Sequence, residues 1–100
     1  MPRILIIDDD LRVMKLLHEY LTTEGYEVAG VSMAEEGFAM ALRTPPDLIL
    51  LDVNLPDATG FQMIMRFRKN PVTKKIPVIM MTGAARFPNQ KAMGIEMGAN

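Results

Sequence analysis

Three apolar runs in this chain each end in side chains suited to phosphate chemistry. Ile4-Leu5-Ile6-Ile7 leads into Asp8-Asp9-Asp10, Leu48-Ile49-Leu50-Leu51 into Asp52, and Val78-Ile79-Met80-Met81 into Thr82. Carboxylates brought within several ångströms of one another raise each other's pKa or demand a cation. Mg2+ suits such a cluster, because it is hard, takes oxygen ligands and keeps several waters. With the charge neutralised, Asp52 could attack phosphorus as a carboxylate nucleophile and give an acyl phosphate. Thr82 could donate a hydrogen bond to a phosphoryl oxygen. In such transfers positioning and charge neutralisation do most of the work.

For these groups to meet, the ends of the three runs must lie side by side. Each run has the length and β-branched content of a fully buried strand. The first, about Arg3 to Ile7, leads straight into a helix. There Leu11, Val13, Met14, Leu16, Leu17, Tyr20 and Leu21 are expected to form one broad apolar face. Asp10 is read as the N-cap of that helix rather than a ligand, and Gly25 as its stop. His18, the sole histidine, shares the polar face with Lys15, Glu19 and Thr22 and is read as solvated. A second strand, about Glu27 to Val31, is more mixed and suits a sheet edge. Ser32 and Glu35 have capping-box spacing ahead of a helix to about Arg43, which Thr44-Pro45-Pro46 ends.

The third strand is predicted from about Asp47 to Asp52, followed by a loop over Val53 to Thr59 with Pro56 in it. Thr59 is expected to cap a third helix that begins at Gly60 and buries Phe61, Ile64 and Phe67. Asp47 and Asp57 read as loop-edge solubilising charges, and Lys74-Lys75 as a solvated turn within a polar connection from Asn70 to Lys75. Pro77 is tolerated as the first residue of the fourth strand, which is predicted to end at Thr82. A loop with Gly83 and Pro88 then leads to a fourth helix, where Met93 and Met97 are one turn apart and Gly98 is the stop. Most of the 10 methionines fall inside these patterns and are assigned to core filling rather than to a Met-rich binding groove.

Strict alternation of strands and helices implies an α/β fold with a parallel sheet covered on both faces. In open sheets of this kind functional groups gather beyond the carboxyl ends of the strands, where strand order reverses. Asp8, Asp9, Asp52 and Thr82 all fall at that end. At 100 residues the chain makes one domain. A formal net charge of -1 argues against a nucleic-acid footprint of its own. There is no cysteine, hence no disulfide or thiolate metal site. No apolar stretch is long enough to span a bilayer, and Asp8 follows too soon for a secretory leader. A cytoplasmic location is expected, with no membrane partner and no direct nucleic-acid partner.

Four segments together resemble the receiver domain of bacterial two-component response regulators. They are Ile4 to Asp10, Pro46 to Pro56, Ile76 to Thr82 and Met97-Gly98-Ala99-Asn100, in order and at matching spacing. The resemblance implies a flavodoxin-like doubly wound parallel sheet ordered 2-1-3-4-5, which sets the first and third strands side by side as the charge argument requires. It implies that Asp52 is the phosphoacceptor and that Asp8 and Asp9 hold Mg2+ with Asp52. It also implies that Asn54 contributes its backbone carbonyl to the ion, and that Thr82 is the switch hydroxyl. The implied partners are a sensor histidine kinase or phosphotransfer protein and an output domain or effector. The implied activity is that of a self-modifying phosphoacceptor, not a turnover enzyme.

Family members continue into a fifth strand, with an aromatic switch residue and an invariant lysine, and then a fifth helix. This chain stops at Asn100, and Lys69, Lys74, Lys75 and Lys91 lie in other segments. The expectation is therefore a receiver domain incomplete at its C-terminus, with order 2-1-3-4, weakened phosphorylation and a largely lost structural readout. An unpaired fourth strand and uncovered apolar surface beside the first helix would favour self-association; the alternative is that the 100 residues are part of a longer protein. A receiver-like interaction module that no longer signals by phosphate is the alternative function. A stand-alone phosphohydrolase is disfavoured, because no second acid/base group accompanies the cluster.

Overall fold

The structure, a computed structural model, describes residues 1–81. Within them the chain alternates β1 (Arg3–Ile7), α1 (Leu11–Thr23), β2 (Glu27–Val31), α2 (Ala34–Arg43), β3 (Leu48–Asp52), α3 (Gly60–Lys69) and β4 (Val78–Met81). All strand pairs are parallel, and the order is β2-β1-β3-β4. The parallel α/β sheet is what the alternation predicts, and the flavodoxin-like strand order is the one the resemblance implies, with β2 at an edge. Thr82 and the predicted fourth helix lie outside the described residues.

Buried strands fill the centre because their side chains are apolar on both faces. Ile4, Leu5, Ile6 and Ile7 are all buried, as befits a central parallel strand covered on both sides. Leu5 and Ile7 join Ile49, Leu51, Val78 and Met80 on one face. They pack there against Ala34 and Ala41 of α2 and Met63, Ile64 and Phe67 of α3. The α2–α3 seam continues outward through the Phe38 and Phe67 rings, 5.5 Å apart. Arg66 lies 4.0 Å over Phe38 and pairs with Glu35.

Among the described residues the opposite face is covered more thinly. Leu48, Leu50, Ile79 and Met81 are half-buried there, and no residue of α1 is fully buried. The broad apolar face read into α1 is in fact a narrow stripe. Val13, Met14, Leu17 and Leu21 are half-buried, whereas Leu11, Leu16 and Tyr20 are 73%, 68% and 62% exposed. A helix on a flat sheet covers only the positions within about one quadrant of its wheel. Leu16 and Tyr20, four residues apart, form a row turned away from it.

Helix α3 departs from expectation in the same way. Gly60, Met63, Ile64 and Phe67 make its buried stripe, and Phe61 falls at the margin, 42% exposed. The polar connection after α3 is pinned inward by Thr73, whose buried hydroxyl donates to the Phe67 carbonyl at 2.7 Å. Asp47 does more than solubilise a loop. Its carboxylate accepts from Arg3 N–H at 2.7 Å and its own N–H donates to the Arg3 carbonyl, which locks the start of β3 to β1.

The helix ends are set by local chemistry. Asp10 Oδ1 accepts from the N–H groups of Arg12 and Val13, as its capping role requires. Gly25 takes φ +95° just past α1, a conformation that a side chain disfavours. Thr59 and Gln62 form a complete capping box at α3. The box expected from Ser32 and Glu35 does not form: the N-cap of α2 is Met33, which has no accepting side chain. Asp57 serves that end from a distant loop instead, accepting from Ala34 N–H at 2.7 Å and Glu35 N–H at 3.0 Å.

Gly37 shows how tightly α2 lies on the sheet. A β-carbon there would overlap Ile7 Cδ1 and stand 2.8 Å from its Cγ1. Alanine in a helix interior is worth up to about 1 kcal/mol over glycine, but overpacking a core costs about 1–3 kcal/mol. Gly37→Ala is therefore expected to destabilise the protein by about 1 kcal/mol in urea unfolding. Adding Ile7→Val should recover part of that loss, so that the two changes are not additive.

Candidate functional site

Parallel register brings the acids together. Ile7 pairs with Leu51 across β1 and β3, so one further step sets Asp8 beside Asp52 at the carboxyl ends of adjacent strands. Asp8 and Asp52 are only 4% and 8% exposed, while Asp9 faces water. One oxygen from each of the three carboxylates lies within 4.8 Å of the others. The proximity inferred from the sequence is thus present.

Several bonds fix this geometry. Asp10 N–H donates to Asp8 Oδ1 at 2.8 Å, fixing one oxygen of the Asp8 carboxylate. Asn54 N–H approaches Asp52 Oδ1 at 3.4 Å. Val53 N–H donates to the Met81 carbonyl, which holds the end of β4 against the same corner. The loop after Asp52 doubles back through a bridge between Asn54 and Thr59, with Leu55 N–H donating to the Ala58 carbonyl.

Gly60 is a site-shaping residue that sequence reasoning passed over. Its N–H donates to the Val53 carbonyl at 2.6 Å. A β-carbon there would lie 2.9 Å from the Asp52 carbonyl oxygen, 3.0 Å from Val53 Cα and 2.9 Å from Met80 Sδ. Only glycine lets α3 begin this close to the end of β3. A glycine opening a helix right after a threonine cap was the available signal, since glycine is a poor helix former.

The charges are in conflict. Burial pushes the Asp52 carboxyl up from 3.8 to about 6, helped by the negative charge of Asp8. Burial likewise raises Asp8, against the opposing bond from Asp10 N–H. Neither acid has a Lys or Arg ion pair among the described residues. The donor set fits a hard divalent cation. Neighbouring ligands of an octahedral Mg2+ at about 2.1 Å stand about 3 Å apart and opposite ones about 4.2 Å, so a small contraction of the cluster would accommodate one. Asn54 lies two residues past Asp52 on the same rim. Thr82 lies outside the described residues, one position after Met81.

With the fold and the acidic corner in view, the comparison with known proteins is direct. The chain belongs to the response regulator receiver domain family, whose model matches residues 4–100. It is 40% identical over 100 residues to the DNA-binding dual master transcriptional regulator RpaA of Synechocystis, covering all of this chain and 41% of that protein. Among solved structures it is similar to the chemotaxis response regulator CheY4 of Vibrio cholerae, with TM-score 0.85 and 31% identity over 99% of this chain and 82% of that one. It is also similar to the phosphorylated cyanobacterial phytochrome response regulator RcpA, with TM-score 0.78 and 29% identity over 99% of this chain and 76% of that one. The chain spans less than half the length of the curated relatives it matches. No helix among the described residues is long and apolar enough to cross a membrane.

The raised pKa sets a pH dependence with a definite sign. A carboxyl that binds its proton more tightly folded than unfolded stabilises the fold at low pH, and this stabilisation disappears as pH rises through about 6. The full rise corresponds to about 3 kcal/mol, and water at the open side of the cluster reduces this to on the order of 1–2 kcal/mol. Asp52→Asn should therefore stabilise the metal-free protein by that amount at pH 8 and by much less at pH 4. Urea unfolding of both proteins at the two pH values measures it.

Proposed function

We propose that residues 1–100 act as one receiver domain, a Mg2+-dependent phosphoacceptor module of a two-component pathway. Asp52 receives a phosphoryl group from a phosphohistidine on a sensor kinase or phosphotransfer protein. The observation that carries this reading is the close carboxylate triad of Asp8, Asp9 and Asp52, two of them buried without a cation partner among the described residues. Family membership and the phosphorylated state of the similar RcpA support it.

In this reading Asp8, Asp9, Asp52 and the Asn54 carbonyl hold the ion. Mg2+ held there would supply charge neutralisation for the incoming phosphoryl group. Asp8 and Asp9 keep the corner anionic enough to attract a divalent cation. Asp10 N–H holds Asp8 in place. An Asp52 oxygen forms the new P–O bond as the P–N bond to the donor breaks, and the leaving imidazole, protonated on its other nitrogen, departs neutral. The product is an aspartyl phosphate at the rim where β1, β3 and the loop to α3 meet. Thr82 then takes the switch role, and partner binding responds to the phosphorylated state. The protein modifies itself and promotes the loss of its own phosphate, rather than turning over a substrate.

Incubation with acetyl phosphate and Mg2+ is expected to add one base-labile phosphoryl group per chain, seen by intact mass. Asp52→Asn should abolish it, and unchanged labelling in that variant would defeat the assignment. Mg2+ at 100 times its Kd should stabilise the fold by about 2.7 kcal/mol, read as a rise in Tm that EDTA reverses. Binding to a histidine kinase that is indifferent to Asp52→Asn would favour the interaction-module reading instead.

A further inference from the structure

The carboxylate of Asp57 is tied into the fold more firmly than a solubilising charge would be. It sits at the tip of the loop that returns from Asp52 to α3, and it accepts from two of the free N–H groups at the start of α2, 23 and 22 residues away in the chain. These bonds hold its carboxyl below the usual carboxylate range. The segment between is short and closed. The bridge between Asn54 and Thr59 joins its two sides, Leu55 N–H donates to the Ala58 carbonyl across the tip, and Pro56 restricts φ beside Asp57. At its base Gly60 N–H closes the loop onto the Val53 carbonyl, and Val53 N–H ties it to Met81 at the end of β4. Asn54 therefore lies on a rigid arch with one foot on the sheet and its crown on α2.

We propose that Asp57 is a positioning residue for the cation site: by anchoring the loop tip to the N-terminus of α2, it holds the Asn54 carbonyl where a divalent cation bound by Asp8, Asp9 and Asp52 can use it. This deepens the function proposed above and rests on that reading. Ligand placement governs Mg2+ more strictly than other cations, because the ion accepts little departure from octahedral geometry. The coupling must also run in reverse: an ion that tightens the Asn54 end of the arch tightens the Asp57 contact by the same factor. The amides of Ala34 and Glu35, which touch no metal ligand in the reading above, should therefore sense the ion.

The test is a Mg2+ titration of the 100-residue chain, followed by intrinsic Tyr fluorescence or calorimetry, with amide hydrogen exchange at Ala34 and Glu35. Asp57→Ala should raise the Kd for Mg2+ by about tenfold, the lower end of what partners behind a metal ligand confer. Asp57→Asn keeps an accepting oxygen and should recover most of that loss. Asp47→Ala removes the same charge and also breaks a bond to a backbone N–H, but at the opposite end of the sheet; its Kd should match the parent. In the parent, saturating Mg2+ should slow exchange at Ala34 and Glu35, and in Asp57→Ala it should not. Equal Kd values for the parent and Asp57→Ala, equal losses in Asp57→Asn and Asp57→Ala, or exchange at α2 unmoved by Mg2+ in the parent would each overturn the positioning role. Absence of Mg2+ binding in every protein would overturn the metal reading and this inference with it.

Discussion

Asp8 and Asp52 occupy adjacent strand ends, nearly closed to water, with a third carboxylate at their rim. Like charges so placed oppose folding, and burial deepens the penalty by removing the water that would screen them. The register of β1 against β3 makes the encounter unavoidable: once Ile7 pairs with Leu51, the next residue on each strand is an acid. The central sheet thus carries a cluster of three carboxylates, two of them buried, at its carboxyl end. Local conflict of this kind is what a functional site looks like when stability elsewhere supports it.

That support comes from two directions. Below the corner, the face bearing Leu5, Ile7, Ile49, Leu51, Val78 and Met80 is packed against α2 and α3 into one continuous core. Around the corner, the start of each described helix lies at the carboxyl end of the sheet, as a strand-to-helix order requires. Each start is satisfied by an oxygen from the loops that build the site: Asp10 for α1, Asp57 for α2 and Thr59 for α3. The loops that present the acids are therefore also the loops that terminate the helices, so the site and the scaffold share their hydrogen bonds. Helix N-termini carry partial positive charge, which eases the crowding of carboxylates at this end.

The two faces of the sheet are unequal. The α2–α3 face is closed, and Gly37 permits contact with Ile7 that no larger residue would allow. The α1 face is half-covered, with Leu50 and Ile79 only partly buried and Leu16 and Tyr20 exposed on the helix itself. The closed side is also the one to which Asp57 and the Arg66–Glu35 pair belong.

Much of this was legible in the chain. Strand positions, the parallel α/β class, the caps at Asp10 and Thr59 and the turn at Gly25 follow from hydrophobic period and turn chemistry, which act over a few residues and leave a mark at each; the meeting of Asp8 with Asp52 needed the strand order, which the family resemblance implied and the β1–β3 pairing shows. What escaped was set by contacts between distant segments. The capping box at Ser32 had the right spacing, yet Asp57 supplied the bonds, because an accepting oxygen is chosen by proximity in space and not along the chain. Asp47 and Asp57 read as surface charges for the same reason. The depth of each apolar stripe, with Met63 inside and Phe61, Leu16 and Tyr20 outside, depended on how much of a helix a flat sheet can cover. The sequence by itself determined which elements form and which acids stand at their ends; only the tertiary structure decided how those elements pack and which distant groups hold the site loop, because these are questions of three-dimensional distance that no local pattern encodes.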